Sequence, residues 1–533
     1  MKKLFKNIKL DRQEAIFLLI IVGTAAFFRF WHLAETQYLT YDQARDFLII
    51  KRIIVDHRLT LLGTTVLIPG VYLPPFYYYS LIPFLVLFKF SPLGADVYTA
   101  LLGVGTVLLF YLLTREFFNR LTAFLSSLIF ATLPMIVVTS RHAWNPNTTF
   151  FYSLLFIFFV WRFLKEKRWL WFYSSVAVLS WGLSFHLGLI ILAPLLLIVF
   201  LWAAKGSSKL VYKFFFSLVI FSLFLIPLFL FELRHGFLIT SNILNFLGQQ
   251  KSSQLTNRLA SFLIDFFKMP LVLFVGHLIP GVKSVNPSHI ILFDQLSILK
   301  INLSWEQTLY FSFSALITVL IFVASLITLF TRKLLSDKRI IFLFLTFFVS
   351  GISIRFLVPP ESFYFYIYTF LFPAVLLLLA NLINLLLKKK EGRIVVLIMV
   401  AIFLYSGVKE FNSLQPSQRS ERFFQEPAKI IADDYFENVL GSYVVAVNNA
   451  DPERWDHNGL EYRYFLEAYF HLPRSGWEAV DYQQAETLYL IDEGNLSEPL
   501  KLRGMEMEAF KPQKIVRTWQ LANGDKIYKL KKE

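Results

Sequence analysis

Two carboxylates and a guanidinium stand close together in Thr40-Tyr41-Asp42-Gln43-Ala44-Arg45-Asp46. On a helix, Arg45 and Asp46 lie three and four residues beyond Asp42 and share its face. A carboxylate beside a guanidinium stays ionised and can accept a proton, which is what a general base requires. The plainer reading of the same residues is a solvated helix with a local ion pair. Three further clusters mix cationic and polar groups. Ser140-Arg141-His142-Ala143-Trp144-Asn145-Pro146 offers Arg141, His142 and Asn145. Phe231-Glu232-Leu233-Arg234-His235-Gly236 offers Glu232, Arg234 and His235, and Arg355 is followed by Pro359-Pro360-Glu361. These cations would meet an anionic ligand, although Arg and His also snorkel to lipid head groups without any chemistry. Glu232, His235 and Glu361 carry donor atoms that a divalent metal accepts, but no recognised ligand spacing supports a metal site. The sequence has no phosphate-binding glycine loop, dinucleotide fingerprint, HExxH or serine elbow.

The elements that must hold these residues are apolar. Of 533 residues 56% are hydrophobic and 17% charged, against about 45–50% and about 25% in soluble domains. The excess lies in runs such as Ala15–Phe28, Ser174–Leu183, Leu187–Ala204 and Leu309–Phe330. Such runs read as membrane-spanning helices, because in lipid each segment must satisfy its own backbone polar groups. The first run ends at Arg29-Phe30-Trp31-His32 rather than at a small-residue cleavage site, so the first helix is expected to stay. There is no cysteine, hence no disulfide framework and no thiolate chemistry. The net charge of +15 does not point to nucleic acid, since Lys and Arg sit in short clusters between apolar runs, the pattern that orients membrane proteins.

Those clusters are Lys2–Arg12, Arg115–Arg120, Arg162–Arg168, Lys205–Lys213, Arg332–Arg339 and Lys388–Arg393. Placing all of them in the cytoplasm requires an even number of crossings between neighbours. Spans over 15–33, 94–113, 121–138, 148–163, 170–185, 187–204, 212–232, 309–330, 339–356, 364–387 and 393–408 satisfy this. The expected architecture is therefore a polytopic α-helical membrane protein of about 11 spans, with the N-terminus inside and the tail outside. Phe76–Phe90, with Pro83 and Lys89, and Ala260–Pro280, with Asp265, Lys268 and Pro270, do not fit as crossings and read as surface or broken helices. All four polar clusters then face outward, where positive charge is not otherwise favoured.

The expected domains are a membrane body over 1–408 and a small α/β extracytoplasmic domain over 409–533. Ala428–Leu440 and Leu460–Phe470 have helical spacing, and Tyr443–Val447 and Thr487–Ile491 read as strands. Ile515–Leu521 and Lys526–Leu530 flank Asn523-Gly524, a hairpin signal.

In this order the motifs resemble the GT-C superfamily of membrane glycosyltransferases, family 39 type, which includes protein O-mannosyltransferases and the lipid A aminoarabinose transferase. The resemblance is carried by four features. One is the acidic motif Tyr41-Asp42-Gln43-Ala44-Arg45-Asp46 after the first span. The second is the Pro-Pro-aromatic segment Leu73-Pro74-Pro75-Phe76-Tyr77-Tyr78-Tyr79. The third is Ser140-Arg141 after the third span, and the fourth a multi-span body ended by an outer soluble domain. It covers about 1–410. This sequence departs from the family at Gln43, where an acidic residue is frequent, at Asn145, where many members carry Asp, and at Leu73, where some carry Lys.

The resemblance implies transfer of a sugar, hexosyl or pentosyl, from a polyprenyl-phosphate donor to a protein, lipid or glycan acceptor outside the cytoplasm, with inversion. It implies Asp42 as the catalytic carboxylate. Phosphate binding then falls to Arg45, Arg141, Arg234, His235 and Arg355, with Asp46, His142, Asn145, Glu232 and Glu361 as further site candidates. No cofactor is fixed, and a divalent metal stays open. The expected location is the plasma membrane. Competing readings are a cell-envelope oligosaccharide ligase or polymerase, a lipid or polysaccharide transporter, and a sensor with an outer tail. A transporter would place charges at mid-membrane, whereas here they gather at one face.

Overall fold

A computed structural model describes residues 11–66, 68–204, 209–249, 270–271, 273–274, 304–331, 338–357, 369–438, 441–449 and 457–532. In chain order the described helices begin with α1 (Arg12–Phe30), α2 (Tyr41–Val55), α3 (Phe76–Leu87), α4 (Leu93–Phe117), α5 (Arg120–Thr132) and α6 (Pro134–Thr139). There follow α7 (Thr149–Glu166), α8 (Trp169–Gly182), α9 (Ala193–Ala204), α10 (Leu210–Leu223), α11 (Ile226–Arg234) and α12 (Leu238–Gln249). Next come α13 (Trp305–Thr331), α14 (Lys338–Leu357), α15 (Phe372–Leu386) and α16 (Lys390–Ser413). The chain divides into two compact units. One comprises Met1–Leu33, Thr60–Ser80 and Asp96–Leu414, the other Ala34–Leu59, Leu81–Ala95 and Gln415–Glu533.

The first unit is a helical body around α15, whose residues from Phe372 to Ile383 are all buried. A helix that is apolar on every side has to be covered on every side, and α5, α7, α13, α14 and α16 do this. Among the described residues, five helices are long and apolar enough to cross a membrane, six if one bent pair counts as a span. A helix or a helix pair underlies each span expected from the sequence, but three of these are interrupted. The run 121–138 breaks at Leu133, because Pro134 donates no hydrogen bond and pushes its predecessor to extended geometry (φ −60°, ψ 118°). The run 212–232 bends by 71° between α10 and α11, with Pro227 in the first turn of α11. The run 187–204 opens as a 3-10 turn, Leu187–Leu192, before α9. Phe76–Phe90 contains the short helix α3 with Pro83 inside it; most of Ala260–Pro280 lies outside the described residues. Of Gly103 and Gly105 in α4, only Gly103 is required by packing: a Cβ there would come within 2.6 Å of Arg29 Nε and of Ser140 Cβ.

The second unit holds a four-stranded sheet of β1 (Tyr443–Asn448), β2 (Thr487–Asp492), β3 (Lys514–Gln520) and β4 (Lys526–Lys531), in the order β1-β2-β4-β3. β1 and β2 are parallel and both are buried along nearly their whole length, matching their unbroken apolar runs. Parallel pairing needs a crossover, which α18 (Leu460–Ala468) and α19 (Ala479–Gln484) supply. β3 is the exposed edge and carries Lys514 and Arg517, charges that discourage pairing with other chains. The β3–β4 connection turns at Gly524, whose φ of +96° suits glycine. The core gathers Val444, Ala446, Tyr482, Leu488, Phe510 and Leu530. α17 (Glu421–Asn438) lies on α18, where the rings of Phe424 and Phe465 stack at 6.0 Å, and α20 (Met505–Phe510) pairs with α19. α2, from the first loop, belongs to this unit and packs on α18.

Candidate active site

α2 starts at Thr40, which caps it in extended conformation. Gln43 reaches back as the third helical residue and accepts the Thr40 N–H at 3.0 Å, forming a capping box. Glutamine serves this position as well as glutamate does, so the departure at Gln43 has a local structural reason. Asp42 follows in the first turn, where unpaired N–H groups and the helix dipole favour a negative charge. Arg45 NH1 lies 3.0 Å from Asp42 Oδ1. The same guanidinium donates to Asp46 Oδ1 through NH2 at 2.9 Å and Nε at 3.1 Å. The Asp46 side chain is 3% exposed and the Asp42 side chain 42%. Asp46 thus anchors Arg45, and Arg45 holds Asp42, whose carboxylate stays open to solvent. A solvated ion pair would leave all three groups exposed; here two of the three are sequestered behind Asp42.

The first unit contains the second cluster. Ser140 closes α6, and Arg141 follows it. Arg141 NH1 donates to Phe28 O at 2.9 Å and to Trp31 O at 3.0 Å, satisfying carbonyls that α1 leaves unpaired at its C-terminus. His142 is buried, and burial pushes its imidazole down to about 3, so it is neutral at physiological pH. Asn145 donates to Phe185 O at 2.6 Å, and Asn147 to His142 O at 2.9 Å. Ala143 is held at both polar atoms: its O accepts from Tyr77 OH at 3.3 Å and its N–H donates to Asp96 Oδ1 at 2.7 Å.

Asp96 escaped the reading of the sequence. It sits in the first turn of α4 and is 1% exposed, and its Oδ2 has no hydrogen-bond partner among the described residues. Arg29, fully buried on α1, escaped it too; NH1 donates to Ala25 O and Ala131 O, while Nε and NH2 have no hydrogen-bond partner among the described residues. The signal that could have found both is a lone charge within or bordering an apolar run.

The third cluster is built around helix ends. Glu232 is buried and both its oxygens cap α12: Oε1 accepts from Ile239 N at 2.8 Å, and Oε2 from Thr240 N at 2.9 Å and Thr240 Oγ1 at 2.6 Å. Arg234 ends α11 and is exposed. His235 is exposed, stacks on Phe231 at 3.9 Å and places Nδ1 2.9 Å from Phe231 O. Arg355 falls on α14 with its side chain outside the description, and Glu361 lies outside the described residues. Among the described residues no group of three His, Asp, Glu or Cys side chains could hold a metal ion. The structure thus brings Asp42, Arg45 and Asp46 together in the second unit. It brings Arg141, His142 and Asn145 together in the first, and gives Glu232 and Arg141 clear structural duties.

Residues 73–230 match the family described as dolichyl-phosphate-mannose-protein mannosyltransferase. The match covers under a third of the chain and takes in the Pro-Pro-aromatic segment and Ser140-Arg141, but not Asp42. No curated protein matches the sequence. Among solved structures, ArnT from Cupriavidus metallidurans bound to undecaprenyl phosphate is similar over 98% of this chain and 98% of its own, with a TM-score of 0.57 and 11% identity. The Archaeoglobus fulgidus oligosaccharyltransferase AglB, solved with an inhibitory peptide and a dolichol-phosphate, is similar over 91% of this chain and 70% of its own, with a TM-score of 0.49 and 12% identity. The likeness to ArnT is one of fold. With the family match and the three sequence motifs, the resemblance to the GT-C membrane glycosyltransferases stands.

Proposed function

We propose that this chain, GT-C-like in fold and motifs, is a membrane glycosyltransferase that moves a sugar from a polyprenyl-phosphate donor to an acceptor at the outer face, with inversion. The observation that carries the reading is the Asp42 arrangement: a solvent-facing carboxylate at a helix N-terminus, braced by a guanidinium that is itself anchored by a buried acid. Asp42 takes the proton of the acceptor hydroxyl or amine. The freed lone pair attacks the anomeric carbon, and the bond from that carbon to the phosphate oxygen breaks. The electron pair leaves with the lipid phosphate, which gains negative charge. Cationic side chains stabilise that charge by bidentate hydrogen bonds. Arg45, Arg141, Arg234, His235 and Arg355 are proposed for this duty; Arg234 is exposed, whereas NH1 of Arg141 is already bonded twice. Asp46, His142, Asn145, Glu232 and Glu361 are proposed to support the site rather than react.

The test is transfer by the purified full chain from a panel of polyprenyl-phosphate sugars to peptide, lipid and glycan acceptors, with and without a divalent ion. The expected result is transfer from at least one donor and none from nucleotide sugars. A chain that uses nucleotide sugars, or none of the panel, ends the proposal.

The proposal includes a cytoplasmic N-terminus, a plasma-membrane body over 1–408 and an extracytoplasmic domain over 409–533. The absence of native cysteine makes single-cysteine labelling clean. Gln43 is a poor reporter because it is buried, but Leu59 in the same loop is 77% exposed. On intact cells an impermeant thiol reagent is expected to label Leu59→Cys and Asn523→Cys and to spare Lys389→Cys. Labelling at 389 without labelling at 59 would invert the topology.

A further inference from the structure

The tail domain holds the helix that bears Asp42 at both ends. At the C-terminal end, Arg52 donates to Glu467 through NH2 at 2.6 Å and Nε at 3.1 Å, a bidentate pair. The Glu467 side chain is 0% exposed and that of Arg52 14%. Arg52 also lies over the ring of Trp477, at 5.0 Å. At the N-terminal end, Asn458 Nδ2 donates to the Tyr41 hydroxyl at 3.2 Å, one residue before Asp42. Asn458 is itself fixed, because the wholly buried Arg463 donates from Nε to its carbonyl at 2.7 Å. The same guanidinium reaches Val445 O in β1 at 2.7 Å and Tyr482 OH at 2.8 Å. Two backbone bonds tie down the approach to α2: Ser417 N to Glu35 O at 3.0 Å and Leu39 N to Arg419 O at 3.2 Å. Between the two ends, Phe47 lies 5.9 Å from the ring of Tyr464.

We propose that the tail domain acts as a strut that sets the position of Asp42, with Glu467 and Asn458 as positioning residues. Tyr41 and Arg52 are about 16 Å apart along the helix. A helix gripped at points that far apart cannot tilt or slide without breaking a charged, buried contact. A displacement of about 1 Å at a reacting group costs on the order of 100-fold in rate, so the grip matters to turnover and not only to folding. This inference rests on the reading of Asp42 given above, but its structural half is measured independently.

The experiment uses the full-length chain in nanodiscs, with hydrogen exchange over residues 41–55 beside transfer kinetics. Glu467→Gln keeps the side chain's shape and removes its charge. It is expected to speed exchange over 41–55 by about tenfold or more, the equivalent of one lost charged hydrogen bond. It is also expected to lower kcat by about tenfold while KM for donor and acceptor stays within about twofold. Tyr41→Phe removes the hydroxyl that accepts from Asn458 and decides the matter if Glu467→Gln does not fold; a rise of about threefold in exchange of the first turn is expected. Unchanged exchange in the variants overturns the strut. Faster exchange with unchanged kcat overturns the positioning role. Faster exchange in the variants, beside a wild type that transfers no sugar, leaves the strut standing and removes the transferase reading instead.

Discussion

Asp42→Asn is expected to lower kcat by about 10²–10⁴-fold, the range that a positioned base contributes, with KM for the lipid donor nearly unchanged. Asparagine has the size of aspartate and still offers Oδ1 to Arg45 NH1, which lies 3.0 Å away in the wild type. What it lacks is the capacity to take up a proton. Asp46 retains its two bonds to Arg45, so the guanidinium stays in place and the local fold is preserved. The measurement is steady-state transfer from the best donor of the panel, with exchange over 41–55 as a control on structure. Full turnover in Asp42→Asn would remove Asp42 from the chemistry. Asp46→Asn provides the contrast: it loosens the anchor of Arg45, so faster exchange at the start of α2 is expected to accompany whatever activity is lost.

The largest effect on stability is expected in the tail, at Asp434. Its carboxylate accepts from Lys529 Nζ and Tyr489 OH, both at 2.6 Å, and from Asn438 Nδ2 at 3.1 Å. Lys529 is 4% exposed, so Asp434→Ala leaves an ammonium buried without its counter-charge. Breaking such a pair costs about 3–5 kcal/mol, to be read as lost exchange protection of the β2 and β4 amides. Burial works to raise the Asp434 carboxyl, but the hydrogen bonds from Lys529 and Tyr489 and the Lys529 charge outweigh it and hold the group below its ordinary value. The folded value therefore lies under the unfolded one. The stabilisation is fully present above the unfolded value and drains away as pH falls through the folded one. Wild-type protection is expected to fall on acidification, and that share of the pH dependence to vanish in Asp434→Ala. A wild-type pH profile retained in the variant would refute the assignment.

Features encoded locally were legible in the sequence. The β1 and β2 strands stand out because their apolar runs are buried on both faces, and the β3–β4 hairpin because Asn523-Gly524 marks its turn. The ends of the long apolar helices follow the charge clusters. The breaks at Pro134 and Pro227 had visible signals, but run length conceals where a helix gives way. Asp42 and Arg45 were legible because they are neighbours on one helix. The duties of Arg141 and Glu232 were not, since their partners are backbone groups that only the fold brings near. Asp96 was hidden for the same reason: it accepts from the amide of Ala143, 47 residues away. Least legible was the recruitment of α2 by the tail, because a single Arg–Glu match leaves no periodic trace.

The Arg52–Glu467 pair spans 415 residues of sequence. At ordinary synthesis rates of about 5–20 residues per second, Arg52 is made roughly 20–80 s before its partner exists. Throughout that interval α2 lacks the grip that the finished tail supplies, while the span before it is already available to the bilayer. A chain cut short anywhere before residue 467 keeps Asp42 yet never gains the contact that fixes it. Under the proposed function, completion of the polypeptide is thereby coupled to assembly of the end of the helix that carries Asp42.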